Sequence, residues 1–205
     1  MYKSALLCVA NGTEEIEVVT IFDLLKRANI QVKMANVNGD DHTLMVICSY
    51  GLRLFSDARL VDLKEQFFDV IILPGGQRGS ECFQRSSLLM EYINQMHLLG
   101  KLVAAICAAP VLVLQNYQIF KEAYMTSFPA FKNCIPKHRW IDQRVVYDAH
   151  YHLLTSQGPG TAIDFSLNII SLLCGKLKAT EVASQLVLPK DVLNFDVCST
   201  DNKEI

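Results

Sequence analysis

Two hydrophobic rhythms alternate along this chain, and each change of rhythm marks an element. Ser4–Ala10 is an apolar-leaning run too short for a helix, and reads as a strand buried on both faces. Asn11-Gly12-Thr13 turns the chain and ends on a candidate N-cap, after which Glu14–Ala28 has helical periodicity. Ile30–Asn36 is a second strand and Asn38-Gly39-Asp40-Asp41 is turn chemistry. Leu44–Cys48 and Leu52–Phe55 form a hairpin around Ser49-Tyr50-Gly51. Phe67–Leu73 is a buried strand ending in Pro74-Gly75-Gly76, and Ser86–Leu99 is an amphipathic helix opened by Ser86. Leu102–Ile106 is another strand, followed by a short helix over Pro110–Gln115. Tyr124–Thr126 is a further candidate strand, and Phe128–Trp140, with Pro129 and Pro136, is irregular. Val145–Tyr147 and Leu153–Thr155 read as a strand pair. Ala162–Leu173 is an apolar helix that Gly175 terminates, and Ala179–Leu186 is one more. Short strands, apolar on both faces and alternating with helices, predict an α/β fold with a mostly parallel sheet covered on both sides. Sites in such sheets form at the carboxyl ends of the strands.

At 205 residues and 51% apolar composition the chain suits one domain, set at residues 1–193, with 194–205 as a loosely ordered tail. A net charge of −2 gives no electrostatic case for nucleic acid or an anionic membrane. The apolar stretch Leu102–Leu114 is interrupted by Pro110 and too short to span a bilayer. Ser4–Ala10 after Lys3 leads into an acidic helix instead of a small-residue cleavage site, so the chain reads as cytoplasmic. Its seven cysteines include no CxxC and no Cys/His cluster with metal spacing. That argues against a disulfide framework and a metal site, and places reduced thiols in a reducing compartment.

One of those cysteines stands apart. Cys107 lies where the Leu102–Ile106 strand gives way to Ala108-Ala109-Pro110, residues that suit the first turn of a helix. Free N–H groups and the positive end of a helix dipole there favour a thiolate and lower the thiol pKa by about one unit or more; the alternative is an inert core cysteine. Projected at 100° per residue, the first helix gathers Val18, Ile21, Phe22, Leu24, Leu25 and Ala28 on one arc, and Glu17 falls inside it. A carboxylate there must be ion-paired, protonated or working. Glu14 projects nearby, but its first-turn position assigns it to the dipole and solvent. Ile16 and Val19 interrupt the polar face, as a subunit contact would. Gly75-Gly76 lets backbone approach a ligand, making the N–H groups of Gly76 and Ala108 candidate oxyanion donors. Gly158-Pro159-Gly160-Thr161 suits either tight packing or an anion at a helix start. His42, His97, His138, His150 and His152 lie in contexts that suggest solvated or structural roles.

Taken together, Glu14-Glu15-Ile16-Glu17, Leu73-Pro74-Gly75-Gly76, Ala104-Ala105-Ile106-Cys107-Ala108-Ala109-Pro110 and Thr155-Ser156-Gln157-Gly158-Pro159-Gly160-Thr161 resemble the ThiJ/PfpI superfamily. The branch they resemble contains bacterial YajL and the human Parkinson-disease protein deglycase. The resemblance runs from about Lys3 to Leu188. It implies a flavodoxin-like three-layer sandwich that forms homodimers with the first helix near the interface. It also implies Cys107 as an oxidation-sensitive nucleophile on a strained elbow, Glu17 as its protonated partner, Gly76 and Ala108 as backbone donors, and Gly75, Phe128, Gly158 and Pro159 as pocket lining.

The activities it implies need no cofactor: conversion of methylglyoxal-type dicarbonyls, or repair of early glycation adducts on proteins or nucleotides, with a stress-protective role. The alternative is a redox-sensing chaperone whose Cys107 oxidises to sulfinate. Protease and amidotransferase branches place His after the nucleophile or a His-x-Glu pair late in the chain. Ala108 and Thr161–Gly175 supply neither, so those activities are disfavoured. Phe128 stands where human-type members carry a pocket His. Tyr50 replaces an Arg that pairs between subunits with the residue matching Asp23, which removes that bridge.

Overall fold

Alternate side chains of the first strand, β1 (Ser4–Val9), enter two different cores. Ala5, Leu7 and Val9 pack on one side of the sheet, Leu6 and Cys8 on the other. Both faces must therefore be covered. The computed structural model describes residues 2–38, 43–115, 118–189 and 198–199. Helix α1 (Glu15–Arg27) follows β1 and leads to β2 (Gln31–Asn36), the hairpin β3 (Met45–Ile47) and β4 (Arg53–Phe55), and β5 (Ala58–Arg59). Next come β6 (Val70–Leu73), α2 (Gln77–Arg85), α3 (Ser87–Leu98) and β7 (Leu102–Ile106). The chain continues with β8 (Val145–Asp148), β9 (Leu153–Ser156), α4 (Ala162–Cys174), α5 (Lys176–Ser184) and β10 (Cys198–Ser199).

The main sheet runs β10-β8-β9-β7-β6-β1-β2-β5, with β8 and β9 antiparallel and every other pair parallel. Its inner order β2-β1-β6-β7-β9 is that of a doubly wound, flavodoxin-like fold. α1, α4 and α5 fill one core; Phe83 of α2 and Leu89, Ile93 and Met96 of α3 fill the other. The three-layer expectation holds.

Several elements differ from the sequence reading. Gln77–Arg85, to which the sequence reading assigned no element, is helical. Its buried face is Gly79, Ser80 and Phe83, set against Arg78, Glu81 and Arg85, so the stripe carries only one large apolar side chain and a search for apolar runs passes over it. Pro110–Gln115 winds as a π-helix, and Pro129–Cys134, read as irregular, is a 3-10 helix. Tyr124–Thr126 makes one isolated bridge, Met125 to Trp140. α1 is capped by Glu14 and not by Thr13, whose hydroxyl bonds back to Ala10. Cys198–Ser199, within the predicted tail, pairs with β8. The turn residues Gly39, Asp40 and Asp41, His42, and 190–197 and 200–205 of the tail region lie outside the described residues.

Candidate active site

β7 delivers the chain to Cys107 in an unusual conformation. Its φ is 64°, a left-handed value that costs about 1 kcal/mol or more in a residue with a β-carbon. Tertiary bonds hold it there. Cys107 N–H donates to Ser156 O (3.0 Å), while its carbonyl accepts from Phe128 N–H (2.8 Å) and Ser127 Oγ (2.8 Å). The strained elbow expected at this position is present, and Cys107 is partly exposed.

Glu17 reaches the same place from α1. It is fully buried, as the helical projection requires, and among the described residues no cation pairs with it. Its Oε2 accepts from Gly75 N–H at 2.6 Å, and Oε1 is buried without a hydrogen-bond partner. A β-carbon placed on Gly75 would sit 2.4 Å from Cys107 Cβ, 2.9 Å from Cys107 Sγ and 2.9 Å from Glu17 Oε2. Glycine is required there because the thiol and the carboxyl converge on the space a side chain would fill. The N–H groups of Gly76 and Ala108 lie on the sulfur's side of the site and favour its charged form. The three contributions come from α1, which follows β1, and from the segments after β6 and β7, all at the carboxyl edge of the sheet.

Burial raises the Glu17 carboxyl to about 8, against the Gly75 N–H, which favours the charged form; the charge of Glu14 adds to the rise. Glu17 is therefore protonated at neutral pH. The expectation of an acidified Cys107 is not met. Burial pushes the thiol up to about 12, the charge of an ionised Glu17 adds to this, and the Gly76 and Ala108 N–H groups oppose it only in part. The N–H groups at the start of the next segment act in the expected direction, and burial of the sulfur outweighs them. Two acids share a dry volume in which one negative charge is already costly, so their titrations are coupled.

The remaining candidates fall around this pair. The Phe128 ring lies 3.3 Å from where a Gly158 β-carbon would be, beside the elbow its N–H supports. Pro159 opens the 3-10 turn Pro159–Thr161. His97 packs on Phe120 and Tyr151, His150 on Tyr151, and His152 Nδ1 lies 3.3 Å from Tyr147 Oη. Glu14, which sequence reasoning left to solvent, is buried against the site. Among the described residues no group of three or more His, Cys, Asp or Glu could hold a metal ion, and no helix is long and apolar enough to cross a membrane.

Residues 3–172 match the DJ-1/PfpI family. The chain belongs to the DJ-1/PfpI family. Drosophila melanogaster protein dj-1beta is 39% identical over 190 residues, covering 92% of this chain and 98% of the relative. A Caenorhabditis elegans protein named glutathione-independent glyoxalase DJR-1.2 is 33% identical over 192 residues, 92% of this chain and 98% of that one. The solved structure of oxidized Toxoplasma gondii DJ-1 superposes with a TM-score of 0.85 at 34% identity, covering 90% of this chain and 97% of that chain. In this DJ-1/PfpI chain Asp23 pairs with Arg27 within α1 (2.7 Å), and the Tyr50 side chain stands in solvent.

Proposed function

We propose that this protein is a cofactor-independent glyoxalase-type enzyme in which Cys107 is the nucleophile and Glu17 the proton carrier. The observation that carries the reading is the convergence of thiol and protonated carboxyl on the side-chain-free Gly75. The relative named as a glutathione-independent glyoxalase supports it. With methylglyoxal, the sulfur adds to the aldehyde carbon while Glu17 protonates the carbonyl oxygen and takes up the thiol proton, giving a hemithioacetal. The Gly76 and Ala108 N–H groups stabilise charge developing on sulfur or oxygen.

Glu17 next removes the C1 proton and protonates the C2 oxygen, forming an enediol. Glu17 then returns a proton to C2 and takes the proton of the C1 hydroxyl, which leaves the lactyl thioester. Water attacks it, the C–S bond breaks, and the thiol is restored. The net change is methylglyoxal plus water to lactate, with C1 oxidised and C2 reduced. The deglycase version starts from a hemithioacetal or aminocarbinol already on a protein or nucleotide, whose thiol or amine leaves. Cys107→Ala and Glu17→Gln are each expected to remove at least about 100-fold of the turnover with the fold intact. Lactate production by Cys107→Ala at the wild-type rate would refute the mechanism.

A second reading is favoured by the proton on Glu17: it can donate a hydrogen bond to a Cys107 sulfinate, and oxidation then alters partner affinity in a redox-sensing chaperone. Intact mass under graded peroxide separates the two. Prompt gain of two oxygens at Cys107 with negligible dicarbonyl turnover favours the sensor. With either reading we propose a stress-protective homodimer joined through α1 and working in the cytoplasm, the exposed Ile16 and Val19 on that helix supporting the contact.

A further inference from the structure

Glu14 is only 6% exposed, although it opens the first turn of a helix. Three hydrogen bonds tie it to the reacting carboxyl. Its Oε2 accepts from Glu17 N–H at 2.8 Å, its N–H donates to Gly75 O at 3.2 Å, and Gly75 N–H donates to Glu17 Oε2 at 2.6 Å. The ring Glu14–Glu17–Gly75 thus closes around the group that faces Cys107.

Glutamate is not among the preferred N-caps; Ser, Thr, Asp or Asn satisfies the same N–H with a shorter arm. What glutamate adds is a carboxyl in an enclosed place. The titratable groups around it are all acids: Glu15 and Glu17 on α1, Cys48 from the β3–β4 hairpin and Cys107 on the elbow. Among the described residues no cation pairs with Glu14 or Glu17. We propose that Glu14 is a positioning residue: its carboxylate holds the Glu17 N–H, and its negative charge adds to burial in keeping Glu17 protonated beside Cys107. Burial raises the Glu14 carboxyl, with Glu15 adding to the rise, but the N–H groups of Glu17 and Ile16 hold it toward the charged form. Only the consequence for turnover rests on the proposed glyoxalase reading; the titration of Glu17 does not.

The test is the titration midpoint of Glu17 in the resting protein, followed by infrared difference spectroscopy of its carboxyl stretch and assigned with Glu17→Gln. Glu14→Gln keeps an oxygen for the Glu17 N–H and removes the charge. It is expected to lower the midpoint from about 8 by about half to one pH unit. Glu14→Ser, a neutral residue with strong capping preference, guards against loss of α1 and must lower it equally. Glu14→Asp retains both cap and charge and must leave it in place. An unchanged midpoint in the Gln and Ser variants, or an equal fall in the Asp variant, overturns the proposal and leaves Glu14 as a cap alone. No substrate is present, so the readout survives even if dicarbonyl turnover is absent.

Discussion

Replacing Glu17 with Gln should change how stability depends on pH more than it changes stability at any one pH. In the folded protein this carboxyl titrates near 8, against 4.5 for an ordinary glutamate. The folded state therefore holds the proton more tightly than the unfolded chain does. The stabilisation this gives is complete below pH 4.5 and disappears as pH rises through 8. Each pH unit in that window costs the wild type about 1.4 kcal/mol, hence about 3 kcal/mol by pH 7. Glu17→Gln has no proton to lose. Its amide oxygen can still accept from Gly75 N–H, while its NH2 group facing the sulfur costs about 1–3 kcal/mol if left without an acceptor, at every pH alike. Urea unfolding of both proteins at matched concentration between pH 5 and 7.5 measures the difference. Wild type minus variant should fall by about 1.4 kcal/mol per pH unit, with groups common to both cancelling. A difference flat to about 0.5 kcal/mol across that range would mean that the folded carboxyl is already ionised, and the reasoning about the site would fail with it.

Other variants probe the surroundings. Gly75→Ala places a β-carbon 2.4 Å from Cys107 Cβ. It should destabilise by about 2 kcal/mol or more and slow iodoacetamide alkylation of Cys107, read by mass spectrometry. Arg144→Ala removes a guanidinium that bonds Asp164 Oδ2 at 2.7 Å and Gly160 O at 2.7 Å, pinning the start of α4. A loss of about 1 kcal/mol is expected in thermal unfolding, small because the arginine is largely solvated. If α1 forms the subunit contact, Ile16→Lys with Val19→Lys should halve the mass seen by light scattering and leave circular dichroism unchanged, since these side chains are 57% and 48% exposed.

Glu17 was legible in the sequence because one carboxylate inside an apolar helical arc is visible in 15 residues of local pattern, Glu14–Ala28. Its partner's ionisation was not. The state of Cys107 depends on a carboxyl 90 positions earlier in the chain and on enclosure by three separate loops, and neither leaves a local trace. Glu14 was misread for a related reason: first-turn acids are usually solvated, and only the docking of Gly75 over this turn excludes water. Strands β1, β6 and β7 announced themselves as apolar runs. α2 did not, since the buried face of Gln-Arg-Gly-Ser-Glu-Cys-Phe-Gln-Arg is mostly the small residues Gly79 and Ser80, and its helical period shows in the charged positions Arg78, Glu81 and Arg85.

The backbone of Cys107 has every polar group engaged, its N–H by Ser156 and its carbonyl by Ser127 and Phe128. The mount under the sulfur is thus held by the end of β9 and by the Ser127-Phe128 segment, which resist recoil when an adduct or oxygen atoms arrive. Chemistry at that atom should leave the trace of the main chain superimposable before and after. Whatever the rest of the cell reads from such an event would be a new charge at the mouth of the cleft, not a new contour of the molecule.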